Sequence, residues 1–241
     1  MSAESLLLVA LFASPAFAGP KVAIVLDDFG LTYKRNPPDE EWMSFAQPLT
    51  FAVMPDSPRT KEAAKATVAA GKELIIHYPF DPFQKLALAK DAAAPEDVAS
   101  VTRLLETCLR DMPDAVGMNN HRSYHGTQNR PLMREFMKIL KTKNLFFLDS
   151  KVSPKTVAYE EAKAAGIPAA MNYIFLDTAP LHTQAFCARN LAAAVAHARK
   201  HGEAVAVGHH YFRGTLDCLK EAMPRYAKEG VEFVKVSALA R

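Results

Sequence analysis

Five separated stretches of the chain end a short apolar run with side chains able to do chemistry. Asp27 and Asp28 follow residues 22–26, His77 follows 73–76, and Asn119, Asn120 and His121 follow 115–118. Asp149 follows 145–148, and His209 with His210 follows 203–207. Carboxylate oxygen and imidazole nitrogen are the donors that a borderline cation such as zinc takes, with one position left open for water in a catalytic site. A single histidine is more often a packed or surface residue than a ligand. Repetition at five run ends is hard to ascribe to chance. If the first run continues straight as a strand, Asp27 and Asp28 point to opposite sides, so one can bind metal while the other serves as a base. The alternative for the pair is a turn or helix cap before Gly30.

The elements that must position these groups follow from the alternation of short apolar runs with longer amphipathic stretches. Strands are expected at 22–26, 49–53, 73–76, 115–118, 145–148, 167–171, 203–207 and 232–236. Helices are expected at 59–70, 95–112, 131–142, 154–165, 183–200 and 215–228, with Gly71, Gly166 and Gly202 just past helix ends. That rhythm predicts an α/β fold, a distorted (β/α) barrel of seven to eight mostly parallel strands. In such folds the site forms at the carboxyl ends of the strands, where all the residues named above fall.

Several function classes are excluded or disfavoured. The net charge is only +3, with no basic run, so nothing points to nucleic acid. There is no Gly-x-Ser-x-Gly elbow, no Gly-x-Gly-x-x-Gly and no phosphate-binding Gly-Lys-Ser/Thr loop. At the N-terminus, residues 6–13 are apolar and Ala16-Phe17-Ala18 supplies small residues at cleavage-site spacing, although the leader carries Glu4 and no basic residue. The expectation is a signal peptide over 1–18, one domain over 19–241, a periplasmic or secreted product, and no membrane span after signal removal. Cys108, Cys187 and Cys218 match no zinc or redox spacing. Cys187 and Cys218 can pair, though buried thiols are the simpler expectation.

In order along the chain come 22–30 (Val-Ala-Ile-Val-Leu-Asp-Asp-Phe-Gly), 49–55 (Leu-Thr-Phe-Ala-Val-Met-Pro), 73–79 (Glu-Leu-Ile-Ile-His-Tyr-Pro), 116–121 (Val-Gly-Met-Asn-Asn-His), 147–150 (Phe-Leu-Asp-Ser), 175–177 (Phe-Leu-Asp) and 205–209 (Val-Ala-Val-Gly-His). Together they resemble the divergent polysaccharide deacetylase family, which is distantly similar to the carbohydrate-esterase polysaccharide deacetylases. The resemblance covers nearly all of the chain after residue 20. It implies one divalent metal, usually zinc, with Asp27 as base, Asp28 and His77 as ligands and His209 as catalytic acid. The wider superfamily places a second metal histidine four residues after the first, and here that position is Asp81. The family's Asn-Asn-His segment makes His121 the third ligand instead. His125 and Asp81 stand as alternatives to it, because His121 and His125 would share a face if they lay on a helix.

The implied reaction removes an acetyl group, N-acetyl before O-acetyl, from a saccharide or cell-envelope glycan. Asp149 can orient an imidazole through a hydrogen bond, or it can simply cap the next helix with Ser150 and Ser153. Asn119 and Asn120 can bind sugar hydroxyls, though a turn would also favour them. Phe80, Phe83, Tyr124 and Tyr211 can line a groove, with core packing as the default. His182, His197, His201 and His210 are expected on helix surfaces or loops, without a role. Two other readings stand beside this one. The protein can be an exported, non-catalytic glycan- or protein-binding module with a relic metal site. Less well supported is metal-dependent hydrolysis of another bond, such as a phosphoester, since the ligands for a two-metal site are too few.

Overall fold

The computed structural model describes residues 19–32 and 36–241. The expected signal peptide over 1–18 lies outside them. The eight expected strands are all present: β1 (Lys21–Phe29), β2 (Thr50–Val53), β3 (Glu73–Pro79), β4 (Gly117–His121), β5 (Phe146–Asp149), β6 (Ala169–Met171), β8 (Glu203–His209) and β9 (Glu232–Val234). A further strand, β7 (Ile174–Phe175), is too short for any alternation to show in the sequence. Every pairing among these strands is parallel, in the order β6-β5-β4-β3-β2-β1-β8-β7, with β9 against the start of β1. The stretch from β6 into β7 pairs first with β5 and then with β8. The sheet therefore curls into a distorted half-barrel, as the alternation predicts.

Among the described residues, seven α-helices cover the outside: α1 (Asp39–Met43), α2 (Thr60–Ala69), α3 (Pro95–Asp111), α4 (Arg130–Thr142), α5 (Ala158–Ala164), α6 (Gln184–His201) and α7 (Arg213–Lys228). Helix α4 shows why such segments are helical. Leu132, Met133, Phe136, Met137 and Leu140 make one buried stripe, and Asn129 caps the first turn by accepting from Leu132 N at 2.9 Å. Helix α5 starts later than residue 154, because the chain before it is diverted into a turn in which Thr156 donates to Asp149 and Val157 N to Thr127 O. The five-residue α1 has too few turns for helical periodicity to show.

Side chains alternate across the sheet with period two. Val22, Ile24, Leu26, Ile76, Met118, Phe147 and Ala206 pack outward against the helices. Ala23, Val25, Ile75, Phe146, Leu148, Val205 and Val207 fill the inside of the curl. Its lower end is plugged by residues 236–241. There Val236 N donates to Thr50 Oγ1, Ser237 N donates to Glu73 Oε1, and Arg241 exchanges two backbone hydrogen bonds with Ala169. The plug leaves the carboxyl ends of the strands as the mouth. Cys187 and Cys218 form a disulfide joining α6 to α7, rather than two core thiols, and Cys108 is a free buried thiol.

Candidate active site

Three side chains, from β1, β3 and β4, meet at the mouth of the barrel. Asp28 Oδ1 lies 3.0 Å from His121 Nδ1 and 3.2 Å from His77 Nε2, and the two nitrogens are 2.9 Å apart. All three residues are buried. The inward phase of the strands delivers both histidines: His77 follows Ile75 by two residues, and His121 shares the inner face with Asn119.

Asp28 arrives by a different route, because β1 does not run straight. Leu26 pairs with Phe51 and Phe29 with Val53, so three residues of β1 oppose two of β2, and Asp28 takes φ 71. This is a bulge in which Asp, a residue that tolerates the left-handed region, absorbs the extra step. The expectation that Asp27 and Asp28 face opposite sides is corrected accordingly. Both carboxylates turn toward His77, at 3.7 Å for Asp27 Oδ2 and 3.2 Å for Asp28 Oδ1.

A divalent cation fits this triad. Asp28 Oδ1 is buried and has no hydrogen-bond partner among the described residues, a state that costs free energy unless something else satisfies it. A tetrahedral ion with ligands at zinc distances asks for donor–donor edges of roughly 3.3–3.6 Å. The triangle is therefore a few tenths of an ångström too tight and needs only a small expansion. The state of His77 also suits a ligand. Asn119 Nδ2 donates to Asp27 Oδ1 at 2.8 Å and to Ser150 Oγ at 3.1 Å. Its Oδ1 is thereby left to accept from His77 Nδ1, at 2.7 Å. That fixes the His77 proton on Nδ1 and presents the Nε2 lone pair to the triad.

The electrostatics separate the two aspartates. Burial pushes both carboxyls upward. For Asp28, His121 and His77 outweigh burial and hold it well below the ordinary carboxylate range. For Asp27, burial wins over the pull of His77, His209 and Asn119, and the carboxyl stays raised. Burial pulls the His77 imidazole down, but Asp27 and Asp28 more than offset it and raise it. His121 is lowered, because its burial is offset only in part by Asp28.

Across the cleft, β8 pairs with β1 so that His209 lies beside Asp27. His209 Nδ1 is 2.5 Å from Asp177 Oδ1, and its own N–H donates to Asp177 Oδ2 at 3.1 Å. Burial alone would lower this imidazole, but Asp177 more than compensates and raises it to about 9. The cleft between these groups encloses about 750 Å³, with Phe83, Arg122, Phe175, Tyr211 and Phe212 among its lining residues.

The chain matches the family model for divergent polysaccharide deacetylase over residues 24–240. It belongs to that family. An uncharacterized protein of Haemophilus influenzae is 34% identical over 235 residues, covering 96% of this chain and 81% of the relative. Among solved structures, the uncharacterized protein ATU2773 of Agrobacterium tumefaciens superposes with a TM-score of 0.80 at 20% identity, covering 93% of this chain and 91% of that one. The catalytic domain of a peptidoglycan N-acetylglucosamine deacetylase from Eubacterium rectale does so with a TM-score of 0.56 at 11% identity, covering 90% and 88%. At such identities these two likenesses show the shared fold.

Within this deacetylase fold, the expected site residues sort as follows. Asp27, Asp28, His77, His121 and His209 line one cleft. Asp149 does not touch an imidazole. Its Oδ1 accepts from Lys151 N, and its Oδ2 from Thr156 Oγ1 and Tyr159 N, so it organises the turn and the start of α5. The imidazole partner is Asp177, which the sequence places only inside a family-like segment because the two-residue β7 before it gives no strand signal. Asn119 is fully buried beneath the triad and does not line the cleft, so it is not placed to bind sugar. Asn120 does line the cleft, but its amide is engaged by Ser150 N and Arg122 O. Asp81 and His125 bond each other at 3.2 Å, and Asp81 also accepts from Gly126 N, so this pair clamps a loop apart from the triad. The segment 121–125 is not helical. His210 is buried rather than exposed, with its backbone N–H on Asp27 O and its carbonyl accepting from Trp42 Nε1.

Proposed function

We propose that the protein is a metal-dependent hydrolase that removes acetyl groups, chiefly N-acetyl, from a saccharide of the cell envelope. The observation that carries this reading is the convergence of Asp28, His77 and His121 beside a separate carboxylate, Asp27, with His209 on the neighbouring strand. The donor set of two imidazoles and one carboxylate fits zinc and leaves a position for water. Asp28, His77 and His121 would hold such a cation, which would supply Lewis acidity toward water and the acetyl carbonyl.

The chain's own groups move the protons. Asp27 Oδ1 is held by Asn119, which leaves Oδ2 to take the proton of the attacking water. His209, charged near neutral pH, holds its Nδ1 proton on Asp177 and can deliver the other from Nε2 to the departing amine. Export supports a glycan of the envelope as substrate. It rests on Ala16-Phe17-Ala18 after an apolar run and on a Cys187–Cys218 disulfide of the kind that persists in oxidising compartments.

The test is acetate release from a panel of N- and O-acetylated oligosaccharides by the purified protein, with bound metal measured in the same preparation. Acetate release that depends on the metal supports the reading. Glycan binding without acetate release would move the protein to the non-catalytic binding module.

A further inference from the structure

The metal ligand His121 is followed by a turn that is unusual in two ways. Arg122 and Ser123 both take positive φ, 49 and 63. Neither is glycine, and two such residues in succession are costly unless neighbours over-determine them. Here they do. Asn120 Nδ2 donates to Arg122 O at 3.1 Å, Ser123 N donates to Asp81 O at 3.1 Å, and Ser123 Oγ bonds both Phe80 N and His121 O. The chain thus holds position 122 in a strained conformation at the wall of the cleft. The side chain presented there is the one Arg or Lys among the described lining residues.

Arg122 makes no ion pair with any described carboxylate and is exposed; its guanidinium lies 5.9 Å from the centroid of Phe83. Many surface arginines here do have acidic partners, as with Arg59, Arg130, Arg134, Arg199 and Arg213. Phe83 is 54% exposed and sits with its centroid 5.0 Å from that of His121, so a flat apolar face adjoins the cation next to the triad. One residue past Ser150, on the adjacent strand end, Lys151 also takes positive φ, with its backbone N–H donating to Asp149 Oδ1 at 2.8 Å.

Resting on the deacetylase reading above, we propose that Arg122 is a specificity residue, and that the substrate is an acetylated saccharide carrying an anionic group, carboxylate or phosphate, on or next to the acetylated sugar. The sugar's apolar face would lie on Phe83 while the guanidinium forks onto the anion. A planar guanidinium matches either anion with two parallel hydrogen bonds. With a divalent cation offsetting Asp27 and Asp28, the charges left in the cleft are His209 and Arg122, both positive, which favours an anion over a neutral chain.

The test uses the metal-loaded protein with three matched N-acetylated oligosaccharides: one neutral, one bearing an ether-linked carboxylate, and one bearing a phosphate monoester. Binding is measured by calorimetry, and acetate release is followed in parallel. Arg122→Asn removes the charge with a residue that tolerates positive φ, and Arg122→Lys keeps the charge but loses the fork. The wild type should bind at least one anionic ligand roughly tenfold or more tighter than the neutral one. Arg122→Asn should bring that ratio close to one, with bound metal unaltered, and Arg122→Lys should fall between. The carboxylate and phosphate arms show which anion is read. Equal binding of all three ligands by the wild type, no binding of any, or a preference that survives in Arg122→Asn overturns the proposal. A preference that depends on Arg122 without any acetate release sustains it as a binding subsite and overturns only the catalytic reading.

Discussion

Replacing Asp177 by Asn isolates the group that sets the state of His209. Asn keeps an oxygen for Thr215 Oγ1 and the His209 N–H, which both donate to Asp177 Oδ2. It puts an NH₂ where Oδ1 now receives His209 Nδ1 at 2.5 Å. The charged imidazole then loses its counter-ion and meets a donor instead of an acceptor. His209, raised to about 9 in the wild type, should fall to roughly the ordinary histidine value near 6.5, or below it. At pH 7.5 the protonated fraction would drop from nearly all to roughly one tenth, so acid catalysis at that pH should fall about tenfold. The alkaline limb of the rate profile should move from about pH 9 down to about 6.5. A stability signature accompanies the change. Because the folded value lies above the unfolded one, the pair stabilises the protein fully below about pH 6.5 and loses that contribution as pH rises through about 9. The contribution is on the order of 3 kcal/mol, and Asp177→Asn should lack it. The direct assay is an NMR titration of the His209 ring in metal-free protein. A wild-type midpoint near 6.5, or an unchanged midpoint in Asp177→Asn, would refute the reasoning.

Further outcomes test other parts of the site. Asp28→Ala, His77→Ala or His121→Ala should each strip most of the bound metal, measured by elemental analysis of purified protein, whereas Asp27→Asn should keep it and lose about 10²–10⁴-fold in rate. Asn119→Ala frees the His77 tautomer and should weaken metal binding by about 10–100-fold without removing a ligand; unaltered affinity would show that Asn119 does not orient His77. Cys187→Ser opens a loop closed over a sequence separation of 31. It should cost about 3–4 kcal/mol in urea unfolding, and reductant should produce the same loss in the wild type and none in the variant. N-terminal sequencing of the protein made in its native host should begin near Gly19, and an intact Met1 in the cytosol would count against export.

How much of the site can be read from the sequence depends on strand parity. Along β1 the inward residues Ala23 and Val25 lead to Asp27; along β3 Ile75 leads to His77; along β8 Val205 and Val207 lead to His209. Counting in twos from the barrel core therefore picks out these three without any structure. The same count explains the misplaced expectation. Asp149 lies two residues after Phe147, which faces the helices, so it shares the outer face and meets the start of α5 rather than an imidazole. Proximity to a strand end is thus too weak a criterion, and phase is the stronger one. Phase fails where the strand itself changes geometry. Asp28 shares the parity of outward Leu26, and only the bulge at φ 71 turns it inward. An apolar pattern cannot encode that extra residue, though an Asp just before Phe29-Gly30 is chemically able to take it. Asp177 escapes for a different reason, since two residues of β7 give no phase to count. The groups a run of alternation delivers are legible, and those delivered by a single backbone torsion or a minimal strand are not. The two kinds meet in the triad, where His77 and His121 come by phase and Asp28 by torsion. Asp28→Gly, which tolerates the bulge but carries no carboxylate, should therefore preserve the β1 backbone while abolishing metal binding. Asp28→Val, which resists positive φ, should disturb both.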